Sequence, residues 1–388
     1  MGKHKDLTLV LLITFFYHTM NQMFVPTLPL YITGLGGSEV VVGVMVGMMF
    51  LGAVGFKVFF GRMATRRSNL LVLRIGLVMA TLVMLLYQPF LGFGFLIVVR
   101  LLQSVGLAGF VTGAQGLLSD YTRPNNRGRF FGIFAAMIGL GMMVGPLAGS
   151  FLAEKSGYSS LFWGAMLVVA VAMVLSFFIG DKSKIAGFGM GRKYQPHSPW
   201  KNHNLLVLSG TMFLSATLMG ATSSIFTLHA VHVGISNPSL FFTLYALTFT
   251  LSGAVSGYLS DRFGRSAMIV PGFYLMIAGI LFLAILNGTA IMIAAAILVG
   301  VGFGFVNTVL MSMVPGYSIN AVDASNDLAF FSNAFDLGLV LGSIGLSWLA
   351  SYSYGVFWLA VAVINGLGLL FYLRFNPEKT SKKAQVRT

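Results

Sequence analysis

Four ionisable side chains, His18, Lys57, Arg100 and Asp336, lie inside stretches that are otherwise apolar. Asp336 is the deepest of the ten carboxylates, about ten residues into its stretch. Burial favours the neutral form of a carboxyl and a nearby cation favours the charged form. An acid balanced between the two loads and releases a proton; an acid paired permanently for structure is the other reading. Arg100 lies about seven residues, roughly 10 Å of helix, from the nearer end of its stretch. A charge at that depth costs about 2.5–3.5 kcal/mol on insertion scales, so it faces a cavity or a partner, or snorkels outward. His18 is a further proton-coupling candidate, with a hydrogen bond to a neighbouring helix as the alternative. Lys57, one turn before Gly61, is a cation that could pair with Asp336 or Asp327.

The elements that must position these residues are membrane helices. The chain of 388 residues is 57% hydrophobic and 9% charged, with a mean hydropathy of +0.87, whereas a soluble domain carries roughly 25% charged residues. The chain therefore reads as a polytopic protein whose first partner is the lipid bilayer. A bilayer-crossing helix needs about 20 apolar residues. The apolar runs give twelve spans: 7–33, 39–62, 69–88, 93–119, 129–152, 159–180, 204–230, 238–259, 267–286, 289–315, 326–350 and 353–375. The first run lacks a small-x-small cleavage site and reads as a retained helix.

The net charge of +14 does not indicate nucleic acid, because the basic residues punctuate the spans on one side. Twelve spans put both termini and 21 of the 24 Lys and Arg residues on that side, leaving Lys155 alone in an outer loop and Lys57 and Arg100 within spans. Positive loops stay cytoplasmic, so both termini are expected in the cytoplasm, with the chain in a plasma membrane, the cytoplasmic membrane of a bacterium. There is no cysteine, which excludes disulfide and thiolate chemistry, and no Gly-x-x-x-x-Gly-Lys-Ser/Thr phosphate loop. No catalytic constellation stands out, so an enzyme is not expected, nor is a cofactor or a metal.

The chain repeats internally. Gly61 and Gly257, and Gly106 and Gly302, are offset by 196 residues; Gly141 and Gly338, and Gly145 and Gly342, by 197. The expected division is a six-helix bundle over 1–180, a basic linker over 181–203, a second six-helix bundle over 204–375 and a basic tail over 376–388. The fold class is an all-α membrane protein of two six-helix bundles related by a pseudo-two-fold axis.

Three motifs accompany the repeat. Gly257-x-x-x-Asp261-Arg262-x-Gly264-Arg265 is a charged turn between two spans; its earlier copy has Thr65 and Ser68 where Asp261 and Gly264 stand. Gly141-x-x-x-Gly145-Pro146-x-x-Gly149 offers a smooth helix face on which another helix can pack closely. Arg100-x-x-Gln103-x-x-Gly106 surrounds the deep arginine. Together they resemble the loop, antiporter and arginine signatures of the major facilitator superfamily, and the likeness extends from the first span to the twelfth. The resemblance implies a cytoplasmic latch formed by the Gly257–Arg265 turn, with Lys57, Asp327, Asp120 and Arg127 in the same charge network. A topogenic basic turn is the plainer reading of that loop.

The resemblance also implies a secondary active transporter working by alternating access, with proton-coupled export of small amphipathic molecules favoured by the fifth-span signature. Export of one endogenous metabolite, such as a siderophore, a metallophore or a sugar, is the alternative, and proton-driven uptake a weaker one. Tyr17, Asn21, Gln22, Gln103, Ser215 and Thr222 are candidates for lining a substrate cavity. The expected partners are the small-molecule substrate and protons, and the expected state is a monomer.

Overall fold

Ser68 and Asn202 show how polar residues end the apolar runs. Ser68 Oγ accepts hydrogen bonds from the backbone N–H groups of Leu70 (3.1 Å) and Leu71 (3.4 Å), and Asn202 Oδ1 accepts from Leu205 N–H (3.2 Å). Each satisfies donors that the first turn of a helix leaves open. The structure is a computed structural model that describes residues 2–122, 124–180, 198–318 and 321–377, without the side chains of 2–4, 124–128 and 321–325.

Every regular element among the described residues is helical. Five helices come first: α1 (Gly2–Gly34), α2 (Glu39–Arg66), α3 (Asn69–Leu86), α4 (Phe93–Tyr121) and α5 (Pro124–Phe177). The seventh expected span is α6 (His203–Ala221), a π-helical turn (Thr222–Phe226) and α7 (Thr227–His232). Then come α8 (Ser239–Phe263), α9 (Ser266–Ala284) and α10 (Thr289–Met313). The eleventh span is α11 (Ala321–Val340), a second π-helical turn (Leu341–Gly345) and α12 (Ser347–Ala350); α13 (Tyr354–Phe375) is the last.

Eleven stretches among the described residues are long and apolar enough to cross a membrane, against twelve expected. The difference lies at one residue. The stretch Arg129–Phe177 has 49 residues, about 74 Å if straight at 1.5 Å per residue and far beyond a hydrocarbon core of about 30 Å. Gly157, at φ 80° and ψ 171°, breaks it, a conformation that glycine adopts without steric cost. A break at one glycine thus stands where a loop between the fifth and sixth spans was expected.

The helices pack by bringing backbone onto backbone at glycines. A Cβ on Gly76 would press on the main chain of α4 at Gly106, Gly109 and Phe110; one on Gly106 would meet Ala80. The equivalents 196 residues on do the same, with Gly272 against the Gly302 carbonyl and Gly302 against Met276. The α1–α5 seam is likewise matched by the α6–α11 seam, where Gly338 meets Phe213 and Ala216, and Gly342 meets Thr217 and Ala221. The internal repeat is therefore a repeat of helix contacts.

By packing, the chain forms two compact units: Met1–Gly191 with Ser223–Leu247, and Arg192–Thr222 with Thr248–Thr388. The first is centred on α1, where Tyr17 stacks on Phe110 of α4 with ring centroids 3.7 Å apart. In the second, Asn365 of α13 donates to Val361 O (2.8 Å) and Thr217 Oγ1 (3.3 Å). Large apolar side chains such as Leu167, Phe59 and Leu251 are exposed, as lipid-facing helix surfaces require.

Candidate functional site

The deep arginine is held by three hydrogen bonds. Arg100 Nε donates to Met45 O of α2 (2.7 Å), and Nη1 donates to Gln103 Oε1 (2.7 Å) and Tyr87 OH (3.4 Å). Tyr87 OH in turn donates to Gln103 Oε1 (2.7 Å). All three side chains are at most 4% exposed, so Arg100 turns inward and does not snorkel. Its partners among the described residues are neutral oxygens, and Gln103 Nε2 is buried without a partner. The guanidinium fork ties α2 to α4 and to the end of α3. Only one of its partners, Gln103 at i+3, is close in sequence. Tyr87 and the Met45 carbonyl come from elsewhere in the chain, and no motif announces them.

The Gly141–Gly149 row lies against the polar part of α1. A Cβ on Gly141 would meet His18 Cβ (2.8 Å) and Thr19 N (2.9 Å); one on Gly145 would meet Gln22 Cβ (2.6 Å) and Thr19 O (2.7 Å); one on Gly149 would press into Met23. The smooth face thus seats α5 on α1 within the first unit. His18 lies edge-on to Phe110 (5.6 Å) and Tyr17 (5.9 Å).

Four of the six cavity candidates are buried by helix packing: Tyr17 (1% exposed), Gln103 (1%), Ser215 (0%) and Thr222 (5%). Ser215 and Thr222 donate to carbonyls one turn back, Met212 O (3.1 Å) and Met219 O (3.0 Å). This local bond lets hydroxyls sit in apolar surroundings. Asn21 and Gln22 are half-buried.

In the charged turn, Asp261 pairs with Arg265 (3.0 Å). Arg265 Nη1 also donates to Ser312 Oγ of α10 (2.7 Å), and Arg262 lies over the Phe263 ring (5.3 Å). Gly264, at φ 94°, makes the turn between α8 and α9. Arg265 is the residue that immediately precedes α9. Asp120, in the last turn of α4, accepts from Asn69 Nδ2 (2.7 Å). The Arg127 side chain lies outside the described residues. Asp327 and Asp336 are both buried, at 3% and 4% exposure, and Ser318 Oγ donates to Asp327 Oδ2 (2.7 Å). Lys57 is half-buried on α2, in the first unit, whereas both acids belong to the second.

A second cluster escaped the sequence reading. Arg74 Nη2 donates to Ser176 O (3.0 Å) and Ile179 O (3.4 Å) at the end of α5, and its guanidinium lies over Phe177 (5.2 Å). Tyr121 OH donates to Gly180 O (2.7 Å), and Gly180 N–H donates to Asp6 Oδ1 (3.3 Å). A cation on the open carbonyls of a helix C-terminus is favourable, and three helices hold that terminus.

A protein-family model, the Major Facilitator Superfamily, matches residues 10–318 and 205–388. The chain belongs to the major facilitator superfamily. It is 23% identical over 366 residues to the staphylopine export protein of Staphylococcus aureus, covering 87% of this chain and 90% of that one. It is 26% identical over 378 residues to the multi-drug resistance efflux pump PmrA of Streptococcus pneumoniae, covering 91% of each. Among solved structures, the nucleoside transporter NupG superposes with a TM-score of 0.77 at 15% identity, over 96% of this chain and 99% of that one. A bacterial homologue of the lysosomal transporter Spinster gives 0.79 at 12% identity, over 96% and 97%. As a superfamily member the chain is a multi-pass membrane transporter of small molecules, with the all-α fold expected from its repeat.

Proposed function

We propose that the chain is a secondary active exporter of small amphipathic molecules, driven by the proton gradient and working by alternating access. The observation that carries this reading is its similarity, over about nine-tenths of both chains, to a multi-drug efflux pump and to an export protein. The Gly141–Gly149 row supports it, because the signature that resembles the antiporters of the superfamily also forms the α1–α5 seam. Export of one defined compound is the second reading, favoured by the staphylopine export protein among the relatives.

In this reading Asp336 loads and releases the proton, and Arg100 and His18 are the further proton-coupling candidates. Lys57 pairs with Asp336 or Asp327 when the cytoplasmic side is closed, and proton uptake by the acid loosens the pair. The Gly257–Arg265 turn, with Asp120 and Arg127, latches the cytoplasmic side. The functional halves are residues 1–180 and 204–375, joined by the 181–203 linker, and the protein acts as a monomer with both termini in the cytoplasm of a bacterial cell. One charge moved through 100 mV supplies about 2.3 kcal/mol.

Proteoliposomes with an imposed pH gradient and a panel of substrates test the reading, comparing wild type with Asp336→Asn. Gradient-dependent export that collapses in the variant supports it. Proton coupling that survives intact in Asp336→Asn removes that residue from the mechanism, and the absence of gradient-driven movement in wild type removes the exporter.

A further inference from the structure

The Arg100 cluster carries a charge that no described acid of its unit balances. Those acids are Asp6, Glu39, Asp120 and Glu154. Asp120 lies twenty residues from Arg100 along α4, about 30 Å, and is bound to Asn69. Asp6 meets the end of α5 at Gly180. Glu154 is exposed on α5. Glu39 is half-buried in the first turn of α2, six residues or about 9 Å of helix before Met45. None of the four is among the hydrogen-bond partners of Arg100.

The hydrogen-bonding capacity left over at the cluster is donor capacity. A guanidinium has five N–H donors. Nε serves Met45 O, and Nη1 serves Gln103 Oε1 and Tyr87 OH. Among the described residues the Nη2 donors have no such acceptor, and the Gln103 amide nitrogen beside them is buried without a partner. Tyr87 OH and Arg100 both bind Gln103 Oε1, which fixes the end of the amide that accepts and the end that donates. Tyr87 also packs on Phe24 of α1 and Phe162 of α5, with centroids 5.2 Å away in each case. These rings close the cluster from water, and a low dielectric strengthens its attraction for an anion.

The fold itself does not call for this charge. At the offset of 196, Arg100, Gln103 and Tyr87 correspond to Ala296, Val299 and Leu283. All three are fully buried, at the seam of α9 and α10 where a Cβ on Gly279 would meet Val299. The equivalent helix pair is thus filled with apolar side chains in the second unit and with a cation in the first. Apolar packing often replaces buried charge at no loss of stability, so packing alone does not account for the cluster.

We propose that Arg100 and Gln103 form a closed site for one chloride-sized anion, bound by the Nη2 and Nε2 donors and balancing the guanidinium. Tyr87 is a positioning residue, holding the amide with its nitrogen free to donate. The enclosure selects a monatomic ion over an organic carboxylate. The site lies wholly within the first unit, and it stands or falls apart from the exporter reading.

The test is thermal unfolding of the purified protein in detergent at constant ionic strength, with chloride, bromide or the bulky gluconate as the anion. Wild type is expected to melt about 2–4 °C higher in saturating chloride or bromide than in gluconate, the shift that a ligand bound only by the folded state produces. Gln103→Glu keeps an acceptor for Arg100 Nη1 and Tyr87 OH and carries its own negative charge. It is expected to melt at the same temperature in all three salts, at or above wild type in chloride. A wild-type melting temperature that ignores the halide overturns the site. So does a halide response as large in Gln103→Glu as in wild type, which would place the ion elsewhere. A Gln103→Glu protein that melts below wild type in gluconate would deny that the cluster lacks a negative charge.

Discussion

Arg100 shows how much one residue can organise. Its Nε and Nη1 reach three acceptors on α2, α3's end and α4, a fork that lysine cannot copy. Arg100→Lys should therefore cost about 2–3 kcal/mol, the range for bonds to charged groups, read as a lower melting temperature in detergent. Tyr87→Phe removes the bond donated to Gln103 Oε1 and the longer one accepted from Arg100 Nη1, and should cost about 1–1.5 kcal/mol; a loss as large as that of Arg100→Lys would contradict this division of labour. The sequence marked Arg100 because a charge in an apolar run is conspicuous, and Gln103 because i+3 neighbours meet on a helix. It could not mark Tyr87 or the Met45 carbonyl. An aromatic residue at a helix end and a backbone oxygen look the same in sequence whether or not an arginine reaches them.

At the scale of elements, some glycines have a neighbouring helix where a Cβ would sit and others have open space. Gly145→Ala would set a methyl 2.6 Å from Gln22 Cβ and 2.7 Å from Thr19 O. Separating α5 from α1 should cost about 1–3 kcal/mol and lower transport in the same preparation. Gly366→Ala, with open space around it in α13, should be neutral or stabilise by about 0.5–1 kcal/mol through helix propensity. Equal melting temperatures for the two variants would refute the seam. Gly264→Ala, at φ 94°, should cost about 1–2 kcal/mol from left-handed strain alone. The helices and the repeat were legible because hydropathy and glycine spacing are properties of residue type. The two π-turns were not, because Thr222–Phe226 and Leu341–Gly345 contain no proline and the extra residue per turn is visible only in the backbone. The missing loop at 153–158 has a similar cause: Lys155 and Glu154 read as a connection, yet the helix continues through them and breaks only at Gly157.

For the whole molecule, orientation is the property that every functional role depends on. Met190→Cys in the otherwise cysteine-free chain should react with an impermeant maleimide only after the cell is opened. Labelling from outside intact cells would invert the topology, placing the charged turn and Asp120 on the outer face, where they could not latch the cytoplasmic side. The expected topology rests on the basic bias of alternate loops, in which each positive loop is an independent vote on sidedness. The pairing of Lys57 with an acid of the eleventh span belongs to the same scale. Charge reversal of both members (Lys57→Asp with Asp336→Lys, or with Asp327→Lys) should recover transport lost in the single variants, and failure to recover any would remove the pair.

The single break at Gly157 has a mechanical consequence. With one residue between them, the fifth and sixth spans have no slack, so a tug at one is felt at the other. Ser150, in hydrogen-bonding contact with Ser239 of α8, sits seven residues before the break. Ser176, gripped by Arg74, sits nineteen residues after it. The two contacts therefore act on helices joined through a single residue, and spacer residues inserted after Gly157 should let each end move while the other stays still.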